Sequence, residues 1–191
     1  MLELRPEYPI RTERLLLRPL TAADTDALLA YKGRPDVCRY APFEPMDRQA
    51  VQDRLGTVWA NTALTNEGQA LVLGAELADT GQLVGDAVLF WHSREHRAGE
   101  LGYVVNPDFA GRGYATEAAR ELLRLGFEEL GLHRIVASID ERNTASARLA
   151  ERLGMRLEAR LVQNEWFKGE WSTELCFAIL ASEWSARPGQ A

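Results

Sequence analysis

The sequence is poor in features that mark several classes of protein. It contains 2 cysteines, Cys38 and Cys176, in 191 residues. They lie far apart and form no C-x-x-C pattern, so the sequence predicts neither a disulfide framework nor a zinc site. Cysteines used so sparingly suit a reducing compartment, and we therefore expect a cytoplasmic protein.

Long apolar segments are also missing. The densest apolar runs, at residues 71–75 and 87–91, have the length of a strand, whereas a membrane-spanning helix needs about 18 apolar residues or more. The first seven residues alternate charged and apolar side chains and lack the apolar stretch of a signal peptide. We expect no membrane partner.

Basic residues are outnumbered by acidic ones. The sequence has 22 Lys and Arg and 28 Asp and Glu, which gives a net charge of −6. Because sequence-independent nucleic-acid binding depends on a basic surface, we expect no direct nucleic-acid partner. An acidic chain can instead attract a cationic substrate. Hydrophobic residues at 46% and charged residues at 26% are typical of one globular domain of this length.

Turn and cap residues divide the chain into strands and helices that indicate one mixed α/β domain. Three prolines between residues 33 and 46 favour an irregular segment there. The predicted strands cover residues 14–20, 70–78, 83–91, 99–105, 133–139, 156–167 and 173–180. Four helices are predicted. The first ends near residue 32, and the second begins after Asp47. The third covers residues 114–130, and the fourth runs from Asn143 to Gly154.

The glycine-rich stretch over residues 106–118 is the segment that best indicates a ligand-binding site. A predicted strand ends there, Gly111 and Gly113 permit a tight turn, and a helix begins, so unpaired amide groups point outward at its positive end. This arrangement can hold a phosphate, and Arg112 adds a positive charge. The alternative is a turn that only brings the helix close to the sheet. A dinucleotide-binding motif would need glycine at Thr116, and a P-loop would need G-K-[ST].

Four motifs in order resemble the GNAT superfamily of N-acetyltransferases. The first is the run Gly-Arg-Gly-Tyr-Ala-Thr-Glu-Ala at residues 111–118, and Glu-Leu-Gly-Tyr-Val-Val precedes it at 100–105. Asn-Thr-Ala-Ser at 143–146 and Glu-Arg-Leu-Gly-Met at 151–155 follow it. The opening Thr-Glu-Arg-Leu-Leu-Leu-Arg-Pro-Leu at 12–20 resembles the RimJ/RimL-type branch.

The resemblance implies a single-domain α/β (α+β) GNAT-like fold with a mixed, mostly antiparallel central sheet flanked by helices on both sides. The domain would cover residues 10–184, with short extensions at 1–9 and 185–191. It implies direct acetyl transfer from acetyl-CoA to a primary amine, either the N-terminal α-amine of a protein such as a ribosomal protein or a small amine. A non-catalytic acyl-CoA-binding module is the alternative. Either a monomer or a homodimer is compatible with the sequence.

The resemblance also implies which residues bind acetyl-CoA. The glycine-rich turn would hold the pyrophosphate, and the preceding strand would offer backbone groups to the pantetheine arm and thioester. Ala110 stands where the family often has Gln or Arg, and Asn143 and Ser146 would contact the cofactor from the next helix. No metal is expected, because His92 and His96 lie in a predicted loop. The remaining predicted contacts are Tyr103, Val104, Val105, Gly111, Arg112, Gly113, Tyr114 and Ala115.

Three side chains are candidates for proton transfer. Glu100 shares a strand face with Gly102 and can act as a base, directly or through water, although a solvated strand carboxylate is an equal alternative. Ser146 matches the family position that faces the sulfur, and otherwise it is a hydroxyl in the first turn of a helix. Tyr103 is a second candidate donor for the departing thiolate, although strand tyrosines commonly serve in packing.

Aromatic residues suggest where the acceptor enters. Tyr40 and Phe43, in the proline-rich segment, resemble the variable acceptor-side loop of the family. Trp166, Phe167 and Trp171 flank a predicted hairpin turn, and we expect them to pack in the core or to border the amine entrance.

Overall fold

A sheet of eight strands forms the centre of the computed structural model, which describes residues 2–186. The strands are β1 (Ile10–Arg11), β2 (Leu15–Pro19), β3 (Ala70–Leu77), β4 (Leu83–Ser93), β5 (Ala98–Val105), β6 (Arg134–Asp140), β7 (Arg156–Phe167) and β8 (Glu170–Leu180). The helices are α1 (Thr25–Lys32), α2 (Pro35–Cys38), α3 (Arg48–Leu55), α4 (Tyr114–Arg124), α5 (Thr144–Arg152) and α6 (Ala181–Ser185). The expected single-domain mixed fold is confirmed.

The strand order across the sheet is β1-β2-β3-β4-β5-β6-β8-β7. Neighbouring strands are antiparallel except for β5 and β6, which run parallel. A parallel pair needs a long crossover, and α4 provides it. The predicted strands are all present with small shifts at their ends.

Alternating side chains along the central strands divide the core between the two faces of the sheet. Leu71 and Leu89 pack in the larger cluster, which contains α4, α5 and α6. Val72 and Val88 belong to a second cluster with residues of α1 and α3. We call the first the α4 face and the second the α1 face.

The helix ends follow the predicted cap residues. Asp47 accepts a hydrogen bond from the Ala50 amide at the start of α3, and Asn143 accepts one from the Ser146 amide at the start of α5. A π-helical segment (Leu125–Glu129) extends α4, and Gly131 follows with φ 73°. The predicted long helix is therefore present, with looser winding in its last turns.

Two features differ from expectation. The proline-rich segment contains the short helix α2, which Pro35 opens at a position where its missing amide proton costs no hydrogen bond. The side chains of Trp166 and Trp171 are 60% and 56% exposed and form an edge-to-face pair, so the expectation of core packing is wrong for both. The strands β7 and β8 extend beyond the body of the sheet and carry this pair away from the core.

The structure describes most of the first predicted terminal extension and part of the second. Leu4, in the first extension, is 1% exposed and pairs with Leu64 through two backbone hydrogen bonds. Residues 187–191 of the second extension lie outside the described residues. Within residues 2–186, no helix combines the length and the apolar character needed to cross a membrane.

Candidate active site

The sheet opens between its two parallel strands. The pairing of β5 with β6 covers Ala98, Gly99 and Glu100 and stops there, although β5 continues to Val105. Beyond Glu100 the two strands diverge, so β5 has no strand neighbour on its β6 side. The backbone groups of that edge can therefore accept an extended ligand as a strand would.

A cleft of about 1190 Å³ occupies this opening. It is larger than the usual pocket for one small molecule and passes through the gap in the sheet, so it reaches both faces. All but one of the predicted site residues line it. The lining members are Glu100, Tyr103, Val104, Val105, Ala110, Gly111, Gly113, Tyr114, Ala115, Asn143 and Ser146.

The glycine-rich turn has the geometry of an anion cradle. Gly111 and Gly113 have φ values of 77° and 84°, which strongly favour glycine. A Cβ atom at Gly111 would meet nothing within 4 Å, so the space in front of the turn is open. The Glu117 amide is the first to bond inside α4, to the Gly113 carbonyl at 3.0 Å. The amides before it therefore lie outside the helical ladder and face the helix N-terminus.

Arg112 is the one predicted site residue whose side chain does not line the cleft. Its side chain is exposed, and its guanidinium lies 5.6 Å from the centre of the Phe109 ring. The backbone of Arg112 still belongs to the turn, where its carbonyl accepts a hydrogen bond from Arg14. The cradle therefore consists of main-chain amides, and Arg112 adds its charge from the outside.

Glu117 anchors this turn to the first strands. Its carboxylate accepts hydrogen bonds from the Thr12 hydroxyl at 2.6 Å and from the backbone and side chain of Arg14 at 2.7 and 2.8 Å. Burial favours a higher pKa for Glu117, but these hydrogen bonds together outweigh it and lower the pKa below its usual value. The opening motif at residues 12–20 thus contacts the glycine-rich motif directly.

We expect Glu117→Gln to lower the free energy of unfolding by about 1 kcal/mol, because Arg14 is partly exposed and its ion pair is screened. The carboxylate's lowered pKa stabilises the fold above the usual Glu value of about 4.3, and this contribution is lost as the pH falls through the folded pKa. Thermal unfolding of both proteins from pH 7 to pH 3 should show a difference that shrinks with acid. The exposed Glu151→Gln on α5 is the control, and a pH-independent difference would contradict the role.

Glu100 lies at the point where β5 and β6 separate, on the α1 face. One carboxylate oxygen is 2.8 Å from Nε2 of His92, whose ring stacks on Phe90 with centroids 5.9 Å apart. His92, expected in a loop, lies near the end of β4, and its contact with Glu100 is visible only once the β4 and β5 register is known. The contact holds one carboxylate oxygen of Glu100, which itself lines the cleft.

Gly102 lies where β5 packs closely on β4. A Cβ atom there would lie 2.9 Å from Cγ1 of Val88, so glycine is needed first for the close packing of β5 on β4. The glycine nevertheless borders the cleft beside Glu100.

Tyr103 and Ser146 meet on the opposite face of β5. The Tyr103 hydroxyl donates to the Ser146 carbonyl at 3.1 Å, and Asn143 holds the Ser146 amide at 3.2 Å. Burial raises the pKa of Tyr103 above its usual value, against smaller lowering effects from the Ser146 side chain and from Arg152. The phenol therefore stays protonated at neutral pH. The candidate base and the two candidate acids approach the gap from opposite faces.

Comparisons with known proteins agree with this geometry. Residues 14–156 match the family described as the acetyltransferase (GNAT) domain. The N-acetyltransferase YnaD of Bacillus subtilis (strain 168), itself described as uncharacterized, is 33% identical over 180 residues, which cover 92% of this chain and 99% of YnaD. The chain belongs to the GNAT acetyltransferase family. It is an acyltransferase, and its fold implies an acyl-CoA donor and an amine acceptor.

Solved structures of other acetyltransferases have a similar fold to this GNAT acetyltransferase. A GNAT-family acetyltransferase from Bacillus anthracis superposes with a TM-score of 0.81 at 33% identity, covering 91% of this chain and 99% of the other. A spermidine N-acetyltransferase from Vibrio cholerae, solved in complex with CoA and spermine, has a TM-score of 0.77 at 22% identity. The coverage is 91% of this chain and 99% of that chain, and the likeness concerns the fold.

A buried ion pair lies in the cleft on the α1 face, and neither of its members was among the predicted site residues. Lys32 is 2% exposed, and its Nζ is 2.8 Å from a carboxylate oxygen of Asp86, which also accepts from the Tyr31 hydroxyl at 2.6 Å. Both residues of the pair line the cleft. The available signal was an aspartate inside the apolar run of β4, where a carboxylate needs a buried partner.

A second lysine holds the proline-rich segment beside the cleft. Lys168, in the turn between β7 and β8, donates to the carbonyls of Cys38 at 2.6 Å and Phe43 at 2.7 Å. Tyr40 and Phe43 both line the cleft, as their position in the sequence suggested, whereas Trp166 and Trp171 do not. The proline-rich segment thus forms one wall of the cleft, and the turn between β7 and β8 holds it through the two hydrogen bonds of Lys168.

Proposed function

We propose that this protein transfers an acetyl group directly from acetyl-CoA to a primary amine, without a covalent enzyme intermediate. The observation that carries the proposal is the opened edge of β5, which runs from Glu100 to Val105 and ends beside the amide cradle before α4. A strand edge suits an extended amide-containing arm, and the cradle suits a pyrophosphate. Both parts of one ligand are therefore accommodated in one continuous cleft.

The proposed donor-binding residues divide into two groups. The amides of the turn from Ala110 to Ala115 hold the pyrophosphate, and the backbone from Tyr103 to Val105 aligns the arm. Asn143 fixes the first turn of α5, so that Ser146 faces the gap. When bound, acetyl-CoA supplies an activated thioester.

Glu100 is the proposed general base. An ammonium has no free electron pair, so the acceptor must lose a proton before its nitrogen attacks the thioester carbonyl. Glu100 accepts this first proton, directly or through a water. A second proton leaves the nitrogen as the C–N bond forms and the C–S bond breaks, and the departing thiolate takes up a proton. His92 holds one oxygen of the Glu100 carboxylate.

Ser146 and Tyr103 are the proposed proton donors to the departing thiolate. Ser146 lines the cleft, and its side chain interacts with Tyr103 there. Tyr103 remains protonated because burial raises its pKa. An amide of Val104 or Val105 stabilises the negative charge that develops on the carbonyl oxygen.

The finer assignment is to the RimJ/RimL-type branch. It is supported by the direct contact between the opening motif and the glycine-rich motif through Thr12, Arg14 and Glu117. A cytoplasmic location is part of the proposal, supported by Cys38 and Cys176, which are both free thiols. Within this branch, protein N-termini and small amines are both candidate acceptors, and the protein would act as a monomer or homodimer.

Calorimetry with acetyl-CoA and a thiol-release assay with mixed amines test the proposal. We expect micromolar binding and amine-dependent release. Gly111→Val should weaken binding at least tenfold, because φ of 77° is strained for valine and its side chain fills the cradle. Gly81→Val is the matched control, because Gly81 also has positive φ and open space but lies outside the cleft. Binding without release with any amine would favour a sensing module, and equal losses in both variants would contradict the cradle.

A further inference from the structure

The acceptor side of the cleft is mainly apolar. Its lining on the α1 face includes Val37, Tyr40, Pro42, Phe43, Val58 and Phe90. Val58 is 51% exposed and Phe90 37% exposed, which is unusual for side chains of this size. Exposed apolar side chains that converge on a cleft provide burial for an apolar ligand.

Every carboxylate that lines the cleft already has a cationic or titratable partner in the chain. Asp86 pairs with Lys32, and Asp140 pairs with Arg142 at 2.6 Å. Asp36 pairs with Arg34 at 2.8 Å near the mouth, and Glu100 contacts His92. Lysine or arginine therefore compensates three of these four carboxylates, and Glu100 is the one whose partner is a histidine.

One cation site in the cleft is occupied by a lysine of the chain itself. The ammonium of Lys32 lies 5.3, 5.0 and 5.0 Å from the ring centres of Tyr31, Phe43 and Trp59, with Asp86 as its counter-ion. Rings with a carboxylate are the usual recognition site for an ammonium ligand. We call these three rings and Asp86 the ammonium cage.

The cage lies where a second charge of an acceptor would reach. Asp86 pairs with Val104 and Phe90 pairs with Glu100 in the β4 and β5 register. Four residues along a strand separate the cage from Glu100 by about 14 Å. A polyamine as long as spermine, with its reacting nitrogen at Glu100, would reach the cage with its far ammonium and meet a carboxylate that Lys32 already neutralises.

We infer that the acceptor is a primary amine attached to an apolar or aromatic group, with no second positive charge. The inference rests on the proposed function and narrows its substrate class. An arylalkylamine and a peptide whose first residue is apolar share this chemistry. Lys32 acts as a specificity determinant, because it neutralises Asp86 and occupies the cage.

Thiol release by the wild-type protein at saturating acetyl-CoA tests the inference. The acceptors are n-decylamine against 1,10-diaminodecane, which differ by one charge and are long enough to extend from Glu100 to the cage, together with spermine, 2-phenylethylamine and a peptide with N-terminal phenylalanine. We expect kcat/KM for the apolar monoamines or the peptide to exceed that for diaminodecane and spermine at least tenfold. The stronger of the phenylethylamine and peptide arms identifies the source. Equal or better use of spermine or diaminodecane would overturn the inference alone, and no release with any amine would overturn the proposed function with it.

Lys32→Met tests the cage directly. This variant keeps most of the apolar stem but frees Asp86, so the ratio of diaminodecane to decylamine activity should rise at least fivefold. Lys32→Met with Asp86→Asn is the matched control, because it empties the cage of both charges and should not show the gain. A folded Lys32→Met protein with an unchanged ratio would overturn the role of Lys32, and if the variant does not fold, the wild-type series decides.

Discussion

Glu100→Gln is expected to lower kcat/KM by about 100-fold or more, in line with the usual contribution of a general base. Glutamine has nearly the same size as glutamate and can still hydrogen-bond to His92, so the geometry of the cleft should persist. It cannot accept the amine proton. The affinity for acetyl-CoA should therefore stay within a factor of two, and calorimetry would establish this separately from the kinetics.

The loss should depend on the acceptor. Deprotonating an alkylamine with a pKa of about 10.4 at pH 7 requires about 4.6 kcal/mol, whereas an α-amine with a pKa of about 8 requires little more than 1 kcal/mol. We therefore expect a larger fall in kcat/KM for n-butylamine than for a peptide N-terminus. Raising the assay pH supplies more free amine and should partly restore the variant.

Glu95→Gln provides the matched control. Glu95 lies in the turn between β4 and β5, is exposed, and does not line the cleft, so this change removes the same charge from the same hairpin. Its kcat/KM should equal that of the wild type. If Glu100→Gln kept more than half of the activity with every amine, Glu100 would be a solvated carboxylate and the base would be a water or another group.

The sequence predicted those parts of the site that depend on local backbone chemistry. Gly111 and Gly113 mark a turn because positive φ favours glycine, and Asn143 marks a helix start because its side chain caps the next amides. Such signals lie within a few residues of the atoms that they position. The cradle and the start of α5 can therefore be predicted without any knowledge of tertiary contacts.

The remaining parts depend on contacts between distant segments. The pair of Lys32 and Asp86 spans 54 positions in the chain, and the sequence alone gives no indication that Lys32 turns inward at the end of α1. The contact of His92 with Glu100 requires the strand register. Trp166 and Trp171 look like core residues by type, yet the hairpin that carries them extends past the body of the sheet.

Breaking the buried pair should produce the largest loss of stability in this chain. Lys32→Met leaves the carboxylate of Asp86 buried with only the Tyr31 hydroxyl as a partner, and the loss of one member of a buried ion pair costs about 3–5 kcal/mol. Asp86→Asn leaves the ammonium without its counter-ion. Its loss should be smaller, because the rings of Phe43 and Trp59 retain a cation–π attraction of about 1–2 kcal/mol.

The double variant Lys32→Met with Asp86→Asn should recover at least half of the stability that Lys32→Met loses. It buries no net charge, and the asparagine oxygen still accepts from Tyr31, so the buried hydroxyl keeps its partner. Urea unfolding of the wild type, both single variants and the double variant closes a thermodynamic cycle. A coupling free energy near zero would mean that the two charges do not stabilise each other. A coupling of about 2 kcal/mol or more would show that the Lys32 ammonium is held in the cage by Asp86, which is the condition for its exclusion of polyamines.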